Sequence, residues 1–309
     1  MKQIMFTLIV LLSAASTIYS QQNNNFSKTL DESSSPLSAK STFVTVGNIS
    51  SEAIELNDKG VHQVEAQQYD KALESFNKAI SIAPDAAEIQ FNLAVALAKT
   101  RRYNEAVENL NRLIKVKPDH AKAYATLAGV LYELGEYAQS VAAYRRAIQL
   151  EPNDAFLLCD YGIALYQTKE YEQAVGAFDA SIKIQPNSAE AFNNRGATLV
   201  TLNRYKEAVA DLQQAIVLLP SFANAHNNLG VALNHLGKKK KAQVSFQEAV
   251  RLRPDWSNAQ YNLALSYLAG GNRESALQQF AVLKKLDLEL AEQLRKQLYQ
   301  GYILDVSKN

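Results

Sequence analysis

Six of the seven prolines in this chain, at 84, 118, 152, 186, 220 and 254, stand 34 residues apart each time. A fixed period in that range marks a repeat array, because a short unit can bury its apolar face only against a neighbouring unit. Proline has no amide donor and clashes with the preceding turn, so each one predicts the end of a helix. Within 309 residues such an array can run seven units deep.

Numbering each unit 1–34, with the proline at place 32, gives columns of constant size. Place 8 reads Gly60, Ala94, Ala128, Gly162, Gly196, Gly230 and Ala264, and place 20 reads Ala72, Ala106, Ser140, Ala174, Ala208, Ala242 and Ala276. Place 24 is always large: Phe76, Leu110, Tyr144, Phe178, Leu212, Phe246 and Phe280. Place 17 is Tyr69, Tyr103, Tyr137, Tyr171 and Tyr205, then Lys239 and Arg273. Places 4, 7, 8 and 11 share one helical face, as do 20, 24 and 27. The spacing predicts a helical hairpin whose small residues let two backbones approach while the large ones fill the space beside them. A short turn joins the two helices, as in Leu134-Gly-Glu-Tyr137. The residue after each proline (Asp85, Asp119, Asn153, Asn187, Ser221 or Asp255) is a good N-cap type and is expected to start the next hairpin.

These columns resemble the tetratricopeptide repeat family over about three quarters of the chain, with seven repeats starting near 53, 87, 121, 155, 189, 223 and 257. The resemblance implies an all-α fold, an α-solenoid in which helix-turn-helix repeats wind into a right-handed superhelix and first helices line a concave groove. The ends depart from the pattern: Gln63 holds place 11 in repeat one, and Leu288 stands where a seventh registered proline would fall. Leu290, Leu294 and Leu298, at four-residue steps, predict a C-terminal capping helix. The expected organisation is a signal peptide over 1–20, a flexible polar linker over 21–52, the repeats over 53–288, and a capping helix and tail over 289–309.

The signal-peptide reading rests on order. Lys2 is followed by an apolar run from Ile4 to Leu12, then by small residues at Ser13, Ala14, Ala15 and Ser16. The run is shorter than the ~20 apolar residues of a spanning helix. Export to a periplasm or to the outside is expected, with an uncleaved membrane anchor as the alternative. Residues 21–52 lack periodic apolar residues, and Asn25 and Asn48 fit the N-glycosylation acceptor pattern.

Charge and chemistry narrow the function classes. Lys and Arg number 32 against 31 Asp and Glu, so no global field draws in nucleic acid. The single cysteine, Cys159, excludes an internal disulfide and reads as packing. His62, His120, His226 and His235 are scattered and do not match metal-ligand spacing. There is no phosphate-cradling glycine loop and no nucleophile elbow. The acidic pair Asp31-Glu32 falls in the polar linker. The expectation is therefore no catalytic residues, no metal, no cofactor and no small-molecule substrate. Lys238–Lys241 is the one charge run. It reads as a solvated turn, with an anionic partner or a lipid headgroup as the alternative.

Place 6 carries the binding expectation: Asp58, Asn92, Thr126, Asp160, Asn194, Asn228 and Asn262, with Asn193 and Asn227 adding amides at place 5. In the resembled family place 6 faces the groove, and a row of amides there could clamp the backbone of an extended peptide through paired donors and acceptors. Ordinary packing in this family is the competing account of the same asparagines. Place 9 gives an apolar strip that includes Val95, Ile163, Val231 and Leu265, suited to a partner's hydrophobic side chains or to packing between helices. The expected function is a non-enzymatic, exported scaffold that binds a protein or peptide segment in the groove, without membrane contact once the signal is removed. The alternatives are an assembly module acting through the convex face or end cap, and a substrate-delivery arm for an enzyme acting in trans.

Overall fold

Place 15 ends every first helix in the same way. Its residue has positive φ in all seven repeats: Gln67, Arg101, Gly135, Lys169, Asn203, Gly237 and Gly271. The amide of place 16 then donates to the carbonyl of place 11, as from Glu136 to Leu131 (2.9 Å) and from Lys238 to Leu233 (2.9 Å). This left-handed closure satisfies carbonyls that the helix end leaves free, and it reverses the chain for the second helix.

A computed structural model describes residues 49–299, and all regular elements among them are helices. The chain clusters into two compact units. The first is described from residue 49 to 184. It holds α1 (Ser51–Glu65), α2 (Tyr69–Ile82), α3 (Ala87–Lys99), α4 (Tyr103–Val116), α5 (Ala121–Glu133), α6 (Tyr137–Leu150), α7 (Ala155–Gln167) and α8 (Tyr171–Ile184). The second is described from residue 185 to 299. It holds α9 (Ala189–Thr201), α10 (Tyr205–Leu218), α11 (Ala223–His235), α12 (Lys239–Leu252), α13 (Ser257–Ala269), α14 (Arg273–Leu286) and α15 (Leu288–Tyr299). In each unit consecutive helices pack as hairpins, and first helices also touch the first helix of the next repeat. The signal peptide, most of the linker, Asn25 and Asn48 lie outside the described residues.

The size columns become the hairpin seam. Ala72, Ala106, Ala174 and Ala208 at place 20 are fully buried, and so are the place-27 residues Ala79, Leu113 and Ala215. Place 24 plugs the seam from the second helix, with Phe76, Phe178 and Leu212 almost wholly out of solvent.

The N-cap expectation needs correction. Asp85, Asp119, Asn153, Asn187, Ser221 and Asp255 sit in the connecting turns, and the first helices start two residues further on. In the connections to repeats two, three, five, six and seven, the amide of place 34 donates to the carbonyl of place 31, as from Trp256 to Arg253 (3.2 Å). Proline and its successor are thus the two central residues of a β-turn, where a fixed φ and a short polar side chain are both favoured. The caps fall at place 34. Asp154 accepts from the amides of Phe156 and Leu157, Ser188 from Ala191, and His120 from Ala123.

The two ends are finished differently. Places 3, 7 and 10 are mostly buried in repeats two to seven, but in α1 they are the exposed Glu55, Lys59 and His62. α1 begins at Ser51, inside the segment expected as linker, because the Ser50 side chain accepts from the Ala53 amide. At the other end α15 lays Ala291, Leu294 and Leu298 against Tyr261, Leu265 and Leu283, closing the apolar end of repeat seven.

Candidate protein-binding face

The first helices of each unit lie side by side, and the asparagine row runs across them. Its amides turn toward one another. Asn92 Nδ2 donates to Asn57 Oδ1 (2.9 Å), Asn228 to Asn193 (3.1 Å) and Asn262 to Asn227 (2.9 Å). Each bond joins place 6 of one repeat to place 5 of the repeat before it. Asn193 also donates to Asn194 Oδ1 (3.2 Å). Asn193, Asn194, Asn227, Asn228 and Asn262 are buried, and Asn92 is half-buried. Cross-links of this kind fix the spacing between successive first helices, and buried amides left unbonded would be costly. These three rungs form where both places carry asparagine. Asp160 and Thr126 are buried too, but the place-5 residues one repeat earlier are Ala125 and Phe91.

The apolar strip is equally deep. Val95, Ile163, Val231 and Leu265 are all buried. The sequence-predicted residues therefore lie beneath the surface of the first helices in each unit, and the exposed residues around them form its rim.

One rim residue escaped the sequence reading. Phe156, at place 2 of α7, is 47% exposed on a helix that buries ten of its thirteen residues. It lies one turn before Asp160, so the two share a helical face. Glu88 and Lys122 occupy the same place in the two preceding repeats, exposed and half-buried respectively. Place 2 carries no column of constant type, which is why periodicity did not flag it; a bulky aromatic in an otherwise mixed column was the available signal.

The remaining polar groups serve the scaffold. Place 4 binds the proline carbonyl of the preceding turn in three repeats: Gln90 Nε2 donates to Pro84 O, Gln260 Nε2 to Pro254 O (2.8 Å), and His226 Nε2 meets Pro220 O (3.0 Å). Arg195 and Asp211 form a two-pronged ion pair (2.7 and 2.6 Å) where place 7 elsewhere is mostly leucine. His235 stacks flat on Tyr205 with centroids 4.4 Å apart, and burial pushes its imidazole below the ordinary range. Glu133, half-buried one repeat beyond Tyr103, has its carboxyl pushed up by burial, while Arg101 and a bond with the Tyr103 hydroxyl work the other way. Cys159 is buried. Among the described residues no group of three or more His, Cys, Asp or Glu stands where it could hold a metal ion, and no helix is long and apolar enough to cross a membrane.

Comparison with known proteins agrees with this architecture. Family models described as tetratricopeptide repeat match residues 63–131, 223–255 and 258–287, and one described as TPR repeat matches 128–169 and 198–237. No curated protein matches the chain. Among solved structures, a tetratricopeptide repeat protein from Parabacteroides merdae is similar over 81% of this chain and 99% of its own, at 18% identity and a TM-score of 0.65. PilF of Pseudomonas aeruginosa is similar over 69% of this chain and 98% of its own, at 17% identity and a TM-score of 0.59. MamA of Desulfovibrio magneticus is similar over 55% of this chain and 96% of its own, at 26% identity and a TM-score of 0.50.

Proposed function

The chain belongs to the tetratricopeptide repeat family, and from that premise we propose that it is an exported, non-enzymatic scaffold that binds a protein segment across its first helices. Members of this family are in general scaffolds for protein interaction. Phe156 carries the reading. A large aromatic left in water on an otherwise buried helix has little use inside the fold, and burying such a ring against a partner contributes strongly to binding. Asn92 and Asp160 border the same face in the first unit; within the second unit Asn193, Asn194, Asn227, Asn228 and Asn262 hold the first helices in register. The helical surface is pre-formed, so little ordering entropy opposes association.

Peptide-display selection against the whole chain tests this. Selected peptides should be apolar near one end, and Phe156→Ala should weaken them about tenfold while leaving the helix content unchanged. Failure to select any peptide, or selected peptides indifferent to Phe156→Ala, would overturn the proposal.

Export is part of the same proposal and rests on the apolar run from Ile4 to Leu12 and the small residues behind it. Mass spectrometry of the mature protein should find an N-terminus within residues 16–21. An intact Met1 would remove this element.

A further inference from the structure

Lys238, Lys239, Lys240 and Lys241 close the turn between α11 and α12 and open the second helix of repeat six. All four are exposed, and among the described residues none is held by an ion pair. Their position is electrostatically unfavourable. The N-terminal turn of a helix carries partial positive charge and favours acids. The second helices of repeats one, two, four, five and seven obey this with Asp70, Glu105, Glu172, Glu207 and Glu274 in the first turn. α12 places lysines there instead, and Lys239 stands where five repeats have tyrosine.

The charge is also local to this repeat. Places 16–19 carry net charges of zero, zero, minus one and minus two in repeats one to four, then plus one, plus four and zero in repeats five to seven. Four unpaired like charges set against a helix dipole lower stability, and no contact within the fold offsets that cost. A partner bearing negative charge would offset it.

We propose that the Lys238–Lys241 turn is a second docking surface, separate from the first-helix face, that takes an acidic segment of a protein partner. The geometry favours a short acidic peptide over other polyanions. The four residues span about one helical turn, roughly 5 Å of rise, enough to meet a few successive carboxylates. A duplex needs cations spread along its backbone, and the same places in the neighbouring repeats carry net charges of only plus one and zero. A lipid surface would call for a wedge of several apolar side chains beside the cations, whereas Val244 is the only large hydrophobic side chain exposed on α12.

The test is fluorescence anisotropy of a labelled eight-glutamate peptide with the full chain. The variant changes Lys238, Lys239, Lys240 and Lys241 to Gln; a control changes Lys78, Lys115, Lys117 and Lys183, also exposed, to Gln. The docking variant should lose at least about tenfold in affinity and the control less than about twofold, and raising salt to about 0.5 M should abolish wild-type binding. Circular dichroism should show both variants folded, since neither set is buried. No measurable binding by the wild type, or equal loss in the two variants, would overturn the proposal. So would tighter binding to phosphatidylglycerol vesicles or to a single-stranded oligonucleotide than to the peptide.

Discussion

The ring of Phe178 lies directly on the backbone of α7 at Gly162: a Cβ added there would stand 2.7 Å from Phe178 Cε1. Gly60 meets Phe76 and Gly230 meets Phe246 in the same way, at 2.6 and 2.5 Å. Leu212 crowds Gly196 likewise, at 2.7 Å, whereas the repeats of Leu110, Tyr144 and Phe280 carry alanine at place 8. Gly162→Ala should therefore destabilise the chain by about 1–3 kcal/mol through overpacking, despite the better helix propensity of alanine. Urea unfolding would measure it, and Phe178→Leu added to the same chain should recover part of the loss. A Gly162→Ala chain as stable as the parent would show that the ring can slide aside.

The left-handed residue at place 15 offers the opposite lever. Lys169 and Arg101 hold φ of 65° and 59° with side chains that disfavour it. Lys169→Gly and Arg101→Gly should each raise stability by about 1 kcal/mol, seen as a higher urea midpoint. Asn203→Gly should gain less, because asparagine already tolerates this region. Equal gains at all three positions would contradict a conformational origin.

The amide rungs predict coupling between repeats. Asn262→Ala leaves Asn227 Oδ1 without its donor, at a cost of about 1–3 kcal/mol. The double variant Asn227→Ala with Asn262→Ala should cost less than the two single losses added together. Strict additivity in the cycle would show that the 2.9 Å bond contributes nothing.

His120 makes stability depend on acidity. Its Nδ1 accepts the Ala123 amide at the head of α5, which requires an unprotonated ring nitrogen. Burial, with help from Lys117, lowers its pKa below the ordinary 6.5. As pH falls through 6.5 the unfolded chain takes the proton first, so stability is complete above that value and declines below it. His235, also shifted down by burial, adds in the same direction. His120→Asn keeps a capping acceptor and should flatten part of the decline over the pH range below 6.5. Thermal melts across that range would show it, and an unchanged slope would exclude His120 as the source.

The hairpins were legible in the sequence because places 8, 20 and 24 report a steric constraint that repeats unchanged. The turn before each first helix was half legible. Proline marked the place, but the polar residue after it fits both an N-cap and the second centre of a β-turn, and only the bond between places 31 and 34 decides. The asparagine row was visible as composition, while its direction was not. Rungs join residues 35 apart, one more than the repeat, so reading down a single column hides the partner. Phe156 was missed for the reverse reason, since a residue serving a surface has no obligation to recur.

The polar side of α1 has a consequence for extending the array. A further hairpin of this kind, placed ahead of Ser51, would have to press its oily flank onto Glu55, Lys59 and His62 and strip water from two or three charges. Lengthening by design at that end would first require Glu55, Lys59 and His62 to be exchanged for the small and aliphatic types that repeats two and six carry in the same places.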